Sequence, residues 1–240
     1  NAAKRGENMV NQITMSSINS MVVPSFSRVK EGTNMGDLYI KLVVITATIV
    51  MPMFMGLGAI ADPLVTILFG EKFGDSAIFM NISAFVMFPA IIGWFLPTLL
   101  ISQGQTSDAF KLTLVSVTNS VVVAGCSIWF GIPTMLICIV IANFLILPIR
   151  FKIVSKHVPI NIKKLVFAIF PSYFCALTMF ACIMVAKHFL NPLIPNQIIL
   201  LVVLILTGSL SYPILSFLFF YRYTTEQLNQ IKGMFLKGGK

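Results

Sequence analysis

Acidic side chains are scarce in these 240 residues: eight Asp and Glu stand against seventeen Lys and Arg, and charged residues make up only 10%. An ordinary soluble domain carries about 25%. With a hydrophobic fraction of 57%, a water-soluble fold would have to spread apolar surface over its whole exterior, which soluble proteins avoid. The net charge of +9 would point to nucleic acid in a soluble chain. Here the cations sit at the ends of apolar runs, a pattern that orients helices in a bilayer. No nucleic-acid partner is expected.

The usual signatures of covalent chemistry are missing as well. Cys126, Cys138, Cys175 and Cys182 all lie inside apolar runs and form no CxxC pair, so neither a zinc site nor a disulfide framework is indicated. They read as small buried hydrophobes. His157 and His188 stand alone in loops, with no carboxylate or thiol at useful spacing. Neither an HExxH helix nor a Gly-rich phosphate loop occurs. The chain is expected not to be an enzyme, and no cofactor or metal is expected. It opens on Asn1 without a signal-peptide layout. The expectation is a C-terminal piece of a longer protein that lacks its N-terminal bundle.

What the sequence does hold is long uncharged runs. Leu42 to Ala61, Ala77 to Ile101, Leu165 to Ala186 and Gln197 to Tyr221 are each long enough to cross a bilayer. Leu112 to Ile149 is too long for one crossing, and Phe130-Gly131-Ile132-Pro133 divides it with a very tight turn. A seventh candidate, 8–26, is uncharged but rich in Asn, Gln, Ser and Thr. At helical spacing Asn8, Asn11, Gln12 and Asn19 fall within an arc of about 100°, with Lys4 beside them. That pattern suits a helix with one side on a polar cavity, or else an amphipathic helix lying on the membrane surface. The spans expected are therefore about 8–26, 40–61, 77–101, 112–130, 133–150, 165–187 and 197–221, in an all-α membrane protein of about seven transmembrane helices.

With alternating connections, Lys4, Arg5, Lys72 and Lys187 fall on one side and the other thirteen Lys and Arg on the opposite side. The rich side should be cytoplasmic, which puts the C-terminus inside. The stretch "ADPLVTILFGEKFGDSA" at 61–77 then lies outside. Its apolar part is too short to cross, and Asp62-Pro63 and Gly70 read as the start and stop of a short helix. It either caps the outer mouth of what the bundle encloses or merely turns the corner into the next span.

None of the six clearer spans holds a charge in its interior, which would be the default functional mark in a membrane. Their polar groups are milder: Asn81, Ser83, Asn119, Ser120 and Asn143, residue types that pin helices to one another. Pro52, Pro89, Pro97, Pro171 and Pro213 inside spans should kink them or free a backbone carbonyl. The richest polar cluster is the first segment, where Lys4 and Arg5 either attract an anionic headgroup or simply sit in water.

The motif "VVPSFSRVKEG" at 22–32 resembles the end of the eighth helix and the following loop of Wzx-type polysaccharide flippases. The run "YIKLVVITATIVMPMFMGLGAIADPLVTILFGEKF" resembles that family's ninth helix, with its proline, and the outer short helix behind it. "LLISQGQTSDAFK" at 99–111 is similar to its tenth-to-eleventh-helix connection. The likeness covers the whole chain as helices eight to fourteen of a fourteen-helix architecture, the C-terminal bundle of a transporter of the MATE and lipid-flippase (MOP) superfamily. It implies transport of an undecaprenyl-diphosphate-linked oligosaccharide across the bacterial inner membrane by alternating access, for O-antigen, lipopolysaccharide or exopolysaccharide assembly. Partners implied are that lipid-linked substrate, membrane lipids, and polysaccharide polymerase or assembly proteins. Cavity-lining, substrate-binding residues would be Lys4, Arg5, Asn8, Asn11, Gln12 and Asn19. The alternative is a MATE-like, cation-coupled multidrug exporter, which calls for an anionic cavity.

Overall fold

The computed structural model describes residues 34–194 and 196–237. The span expected at 8–26 lies outside them. Within the described residues the protein is helical throughout, without strands, and is an all-α membrane protein.

Helix α1, Met35–Ala59, starts where the extended Asn34 turns its side chain to accept the Gly36 N–H at 3.0 Å. A single residue, Ile60, separates it from α2, Ala61–Phe69, which Gly70 ends at φ +84°. Asp62 does not cap α2, contrary to expectation. The last turn of α1 runs almost directly into α2, with Ile60 at the N-cap position, so there is no free helix start for a side chain to cap. The Asp62 carboxylate instead accepts from Lys187.

The uncharged run at 77–101 is not one straight rod. It forms α3 (Asp75–Ala84), α4 (Met87–Trp94) and α5 (Leu96–Ser102), with a bend of 42° between α3 and the rest. Pro89 and Pro97 fall in the first turns of α4 and α5, where a missing N–H costs the helix nothing. Then α6, Thr106–Ser127, and α7, Ile132–Val154, form a hairpin closed through Gly131 at φ +91°. Helix α8, Ile162–Leu190, is capped by Asn161, and α9, Gln197–Lys237, follows with a non-helical residue at Phe220. Five of these helices, taking α9 as far as Phe220, are long and apolar enough to cross a membrane, and the bent α3–α5 run makes a sixth.

The connections gather at two faces. Asp37 and Lys164 meet at 2.6 Å on the first face, where Asp108 also holds Lys111 and His157, each at 2.6 Å. His157 is thus not the isolated histidine expected: its carboxylate comes from the start of α6, 49 residues away in sequence. Lys187 and Asp62 join α8 to α2 on the second face.

Helix α1 is the centre of the bundle, with Tyr39, Val43, Ala47, Val50, Met51 and Met55 fully buried against α8, α9 and the α3–α5 run. Without a hydrophobic drive between helices in lipid, close backbone approach and hydrogen bonds carry association. Gly58 shows both: a Cβ there would lie 2.6 Å from that of Ala84, and its carbonyl accepts from Asn81 Nδ2 at 3.2 Å. Asn81 is therefore an interhelical pin, as expected. Ser120 and Asn143 are not: they donate to Ser116 and Ile139 carbonyls of their own helices at 3.1 and 3.0 Å. Both lie on the α6–α7 hairpin, and each bonds back one turn along its own helix.

Candidate functional site

Between α1, α8 and α9 lies a cavity of about 540 Å³, within the range of ligand pockets. It occupies the half of the bundle nearer the second face, from Pro52 to Ile60 along α1, a depth of roughly 12 Å at helical rise. The wall is almost wholly apolar, with the Ser209 and Tyr212 hydroxyls as its polar side-chain groups. The half-exposed Met53 and Ile205 border it, so it opens sideways at the bundle surface. Ile60, the joint between α1 and α2, forms part of its end.

Helix-breaking residues line this space on both sides: Pro52 and Gly56 from α1, Gly208 and Pro213 from α9. Gly208 lets α8 approach closely, since a Cβ there would lie 2.9 Å from Ile183 Cδ1.

Deeper in the bundle, three hydroxyl side chains tie the same three helices. Proline has no N–H, so Pro52 leaves the Thr48 carbonyl one turn earlier without its helical donor. Tyr212 of α9 supplies the missing bond, its hydroxyl donating to Thr48 O at 2.9 Å. The Thr48 hydroxyl donates to Val44 O at 2.9 Å, and its oxygen lies 2.9 Å from that of Ser172 on α8. One proline in α1 thus creates the acceptor that joins α1 to α9, and Thr48 itself reaches α8.

Near the first face, hydroxyls from two neighbouring helices bond main-chain carbonyls at both ends of α4. The buried Tyr39 hydroxyl donates to Ile92 O at 2.5 Å, and Tyr173 of α8 donates to Phe88 O at 2.5 Å. Side chains of α1 and α8 thus tie α4 to the bundle.

Among the described residues no three His, Cys, Asp or Glu come together as a metal site would need.

Lys4, Arg5, Asn8, Asn11, Gln12 and Asn19 lie outside the described residues. The cavity, the Thr48–Tyr212 bond and the Tyr39 bond were absent from the sequence expectation. Pro52 gave half the signal, a freed carbonyl; its donor lies 164 residues further on. Arg150, counted with the cations of the first face, is turned inward and only 9% exposed.

Residues 1–78 match a family described as "Polysaccharide biosynthesis protein". The chain is also similar to the capsular polysaccharide biosynthesis protein CapF of Staphylococcus aureus, at 23% identity over 137 residues, 57% of this chain. The stretch matched spans 28% of the length of that relative. No solved structure matches. The resemblance to polysaccharide flippases read from the residues is supported on both counts.

Proposed function

We propose that this chain is part of a flippase that carries an undecaprenyl-diphosphate-linked oligosaccharide across the inner membrane for surface polysaccharide assembly. The observation that carries the reading is the apolar cavity between three helices, two of which bring Pro and Gly into its wall. Such a substrate has a long hydrocarbon tail, which suits an apolar groove that opens sideways toward lipid. Kinked, glycine-bearing helices facing one another can rock between two tilts, the motion alternating access needs. The match to polysaccharide biosynthesis proteins supports a role in making or exporting polysaccharide.

The polar head must be kept from hydrocarbon, where each unsatisfied group costs several kcal/mol. Lys4, Arg5, Asn8, Asn11, Gln12 and Asn19 are proposed to line the polar part of the path on a span at 8–26. A cavity of cations and amides suffices for that task, and no covalent step is required. The first face, to which alternating spans would give thirteen of the seventeen Lys and Arg, is proposed to be cytoplasmic. The seven spans are assigned to the C-terminal bundle of a fourteen-helix transporter whose other bundle completes the cavity. Polysaccharide polymerase or assembly proteins would receive the flipped substrate.

The test is complementation. The full-length gene is placed in a bacterium lacking its surface-polysaccharide flippase, and both surface polymer and survival on cationic drugs are scored. The expected result is restored polymer, lost again when Lys4, Arg5 and Asn11 are changed to Ala. Drug resistance without polymer would overturn the reading in favour of a MATE-like exporter.

A further inference from the structure

Arg150 lies on α7, four residues before the helix ends at Val154, or roughly 6 Å along its axis. It is 9% exposed, and its Nε is buried with no hydrogen-bond partner. The guanidinium rests against α4 at Gly93, where any Cβ would overlap its Nη1. Glycine at this position is what gives the side chain its seat.

An arginine stays protonated in a protein, and a buried charge needs an opposing one or a full set of hydrogen bonds. Of the first-face carboxylates whose side chains are described, Asp37 and Asp108 are both engaged. Asp37 holds Lys164, while Asp108 holds Lys111 and His157. The carbonyl end of α4 offers a partial negative charge, and Phe95 N–H already occupies the Gly93 carbonyl. Among the described side chains no anion faces the guanidinium, and the seat is open to one from outside them.

Depth and surroundings narrow the choice. Arg150 sits about one helical turn inside the end of its span, the level of lipid phosphates rather than of the hydrocarbon centre. The flanking Trp94 and Ile149 are 37% and 53% exposed, so the α4–α7 seam reaches the bundle surface. Tryptophan favours this interfacial level. A guanidinium presents a planar fork of donors that matches two phosphate oxygens at once.

We propose that Arg150, seated on Gly93 at the α4–α7 seam, binds the phosphate of a membrane lipid at the first face. This site is separate from the α1–α8–α9 cavity and does not depend on the flippase reading. A glycerophospholipid headgroup and a polyprenyl phosphate share the chemistry, and the experiment separates them.

Purified full-length protein in detergent is titrated with phosphatidylglycerol, with undecaprenyl phosphate, and with uncharged diacylglycerol, and bound lipid is counted by native mass spectrometry. Wild-type protein should bind at least one phosphate-bearing lipid in preference to diacylglycerol. Arg150→Gln should weaken that binding about tenfold or more, and Arg150→Lys less, because the charge remains while the fork is lost. Gly93→Ala should weaken it by unseating the guanidinium. A loss confined to phosphatidylglycerol identifies a structural lipid; one confined to undecaprenyl phosphate identifies a substrate subsite; loss of both means the phosphate alone is read. Should the Gln variant not fold, the Lys variant carries the test. Unchanged binding of both phosphate lipids in the folded variants would overturn the proposal and assign the counter-charge to the polypeptide itself.

Discussion

Helices α1 and α7 are both long, apolar spans, yet two-thirds of the apolar window of α1 is buried and only 6% of that of α7. The more apolar of the two is α7, the one that faces outward. In water the order would be reversed. In a bilayer the surroundings are as greasy as the core, so apolarity alone cannot draw a helix inward. Shape and polar detail decide instead. The first of these spans carries Gly56 and Gly58, the freed carbonyl of Thr48 and the Tyr39 hydroxyl, each meeting a neighbour. The other presents Phe144, Leu145 and Ile149 outward and bonds Asn143 to its own backbone.

The sharpest way to break this contrast is to add the same bulk on both sides of it. Gly58→Val drives a branched side chain into Ala84 and should cost about 1–3 kcal/mol. Gly125→Val on α6, where a Cβ would meet nothing within 4 Å, should stay within about 0.5 kcal/mol. Thermal unfolding of the two variants in detergent checks the pair, and equal losses would refute the division into core and periphery.

A smaller effect tests the hydroxyl of Tyr212. Tyr212→Phe should cost about 0.6 kcal/mol and at most about 1.7, the range for interhelical hydrogen bonds in membranes. In a Pro52→Ala background the Thr48 carbonyl regains a helical donor, and the same substitution should cost less. A double-mutant cycle in stability reads the difference, and an unchanged cost would mean that the Tyr212 hydroxyl contributes independently of the carbonyl Pro52 frees. Pro52→Ala by itself should straighten α1 and lower polymer export in the complementation assay without lowering the amount of folded protein.

The smallest effects belong to the surface. Asp37→Asn and Asp62→Asn remove partners from the exposed carboxylate–lysine pairs of the two faces, and each should change stability by less than about 1 kcal/mol. Raising salt should erase what difference there is. A larger loss on either face would mark that pair as part of a moving joint.

How much of this was legible depended on distance along the chain. The hairpin at Gly131 was readable because Phe130-Gly131-Ile132-Pro133 interrupts its run locally. The bend inside 77–101 was legible in part, since Pro89 and Pro97 forecast an interrupted helix. The hydroxyls of Tyr39 and Tyr173 that bond its main chain were not, because they arrive from other helices. Pro52 announced a freed carbonyl but not who would take it. His157 looked isolated because its acid stands 49 residues earlier, and Asp62 looked like a cap because Lys187 lies 125 residues later. Arg150 closes an apolar run, and a run's end cannot say which way its last side chain turns. The six polar residues of the first segment were chosen by helical periodicity and, for Lys4 and Arg5, by charge, and they lie outside the described residues.

The bond between α1 and α9 has an unusual address. Its acceptor is a main-chain oxygen at position 48, but what leaves that oxygen available is the residue at position 52. Changing the Thr48 side chain gives up its own tie to Ser172 but leaves this acceptor in place, while a change one turn later withdraws it. A scan that truncates side chains at contact points would therefore find the donor tyrosine and pass over the acceptor altogether. A cost of losing Tyr212 that depends on the residue at 52 but not on the side chain at 48 would be the trace such a contact leaves in a library of variants.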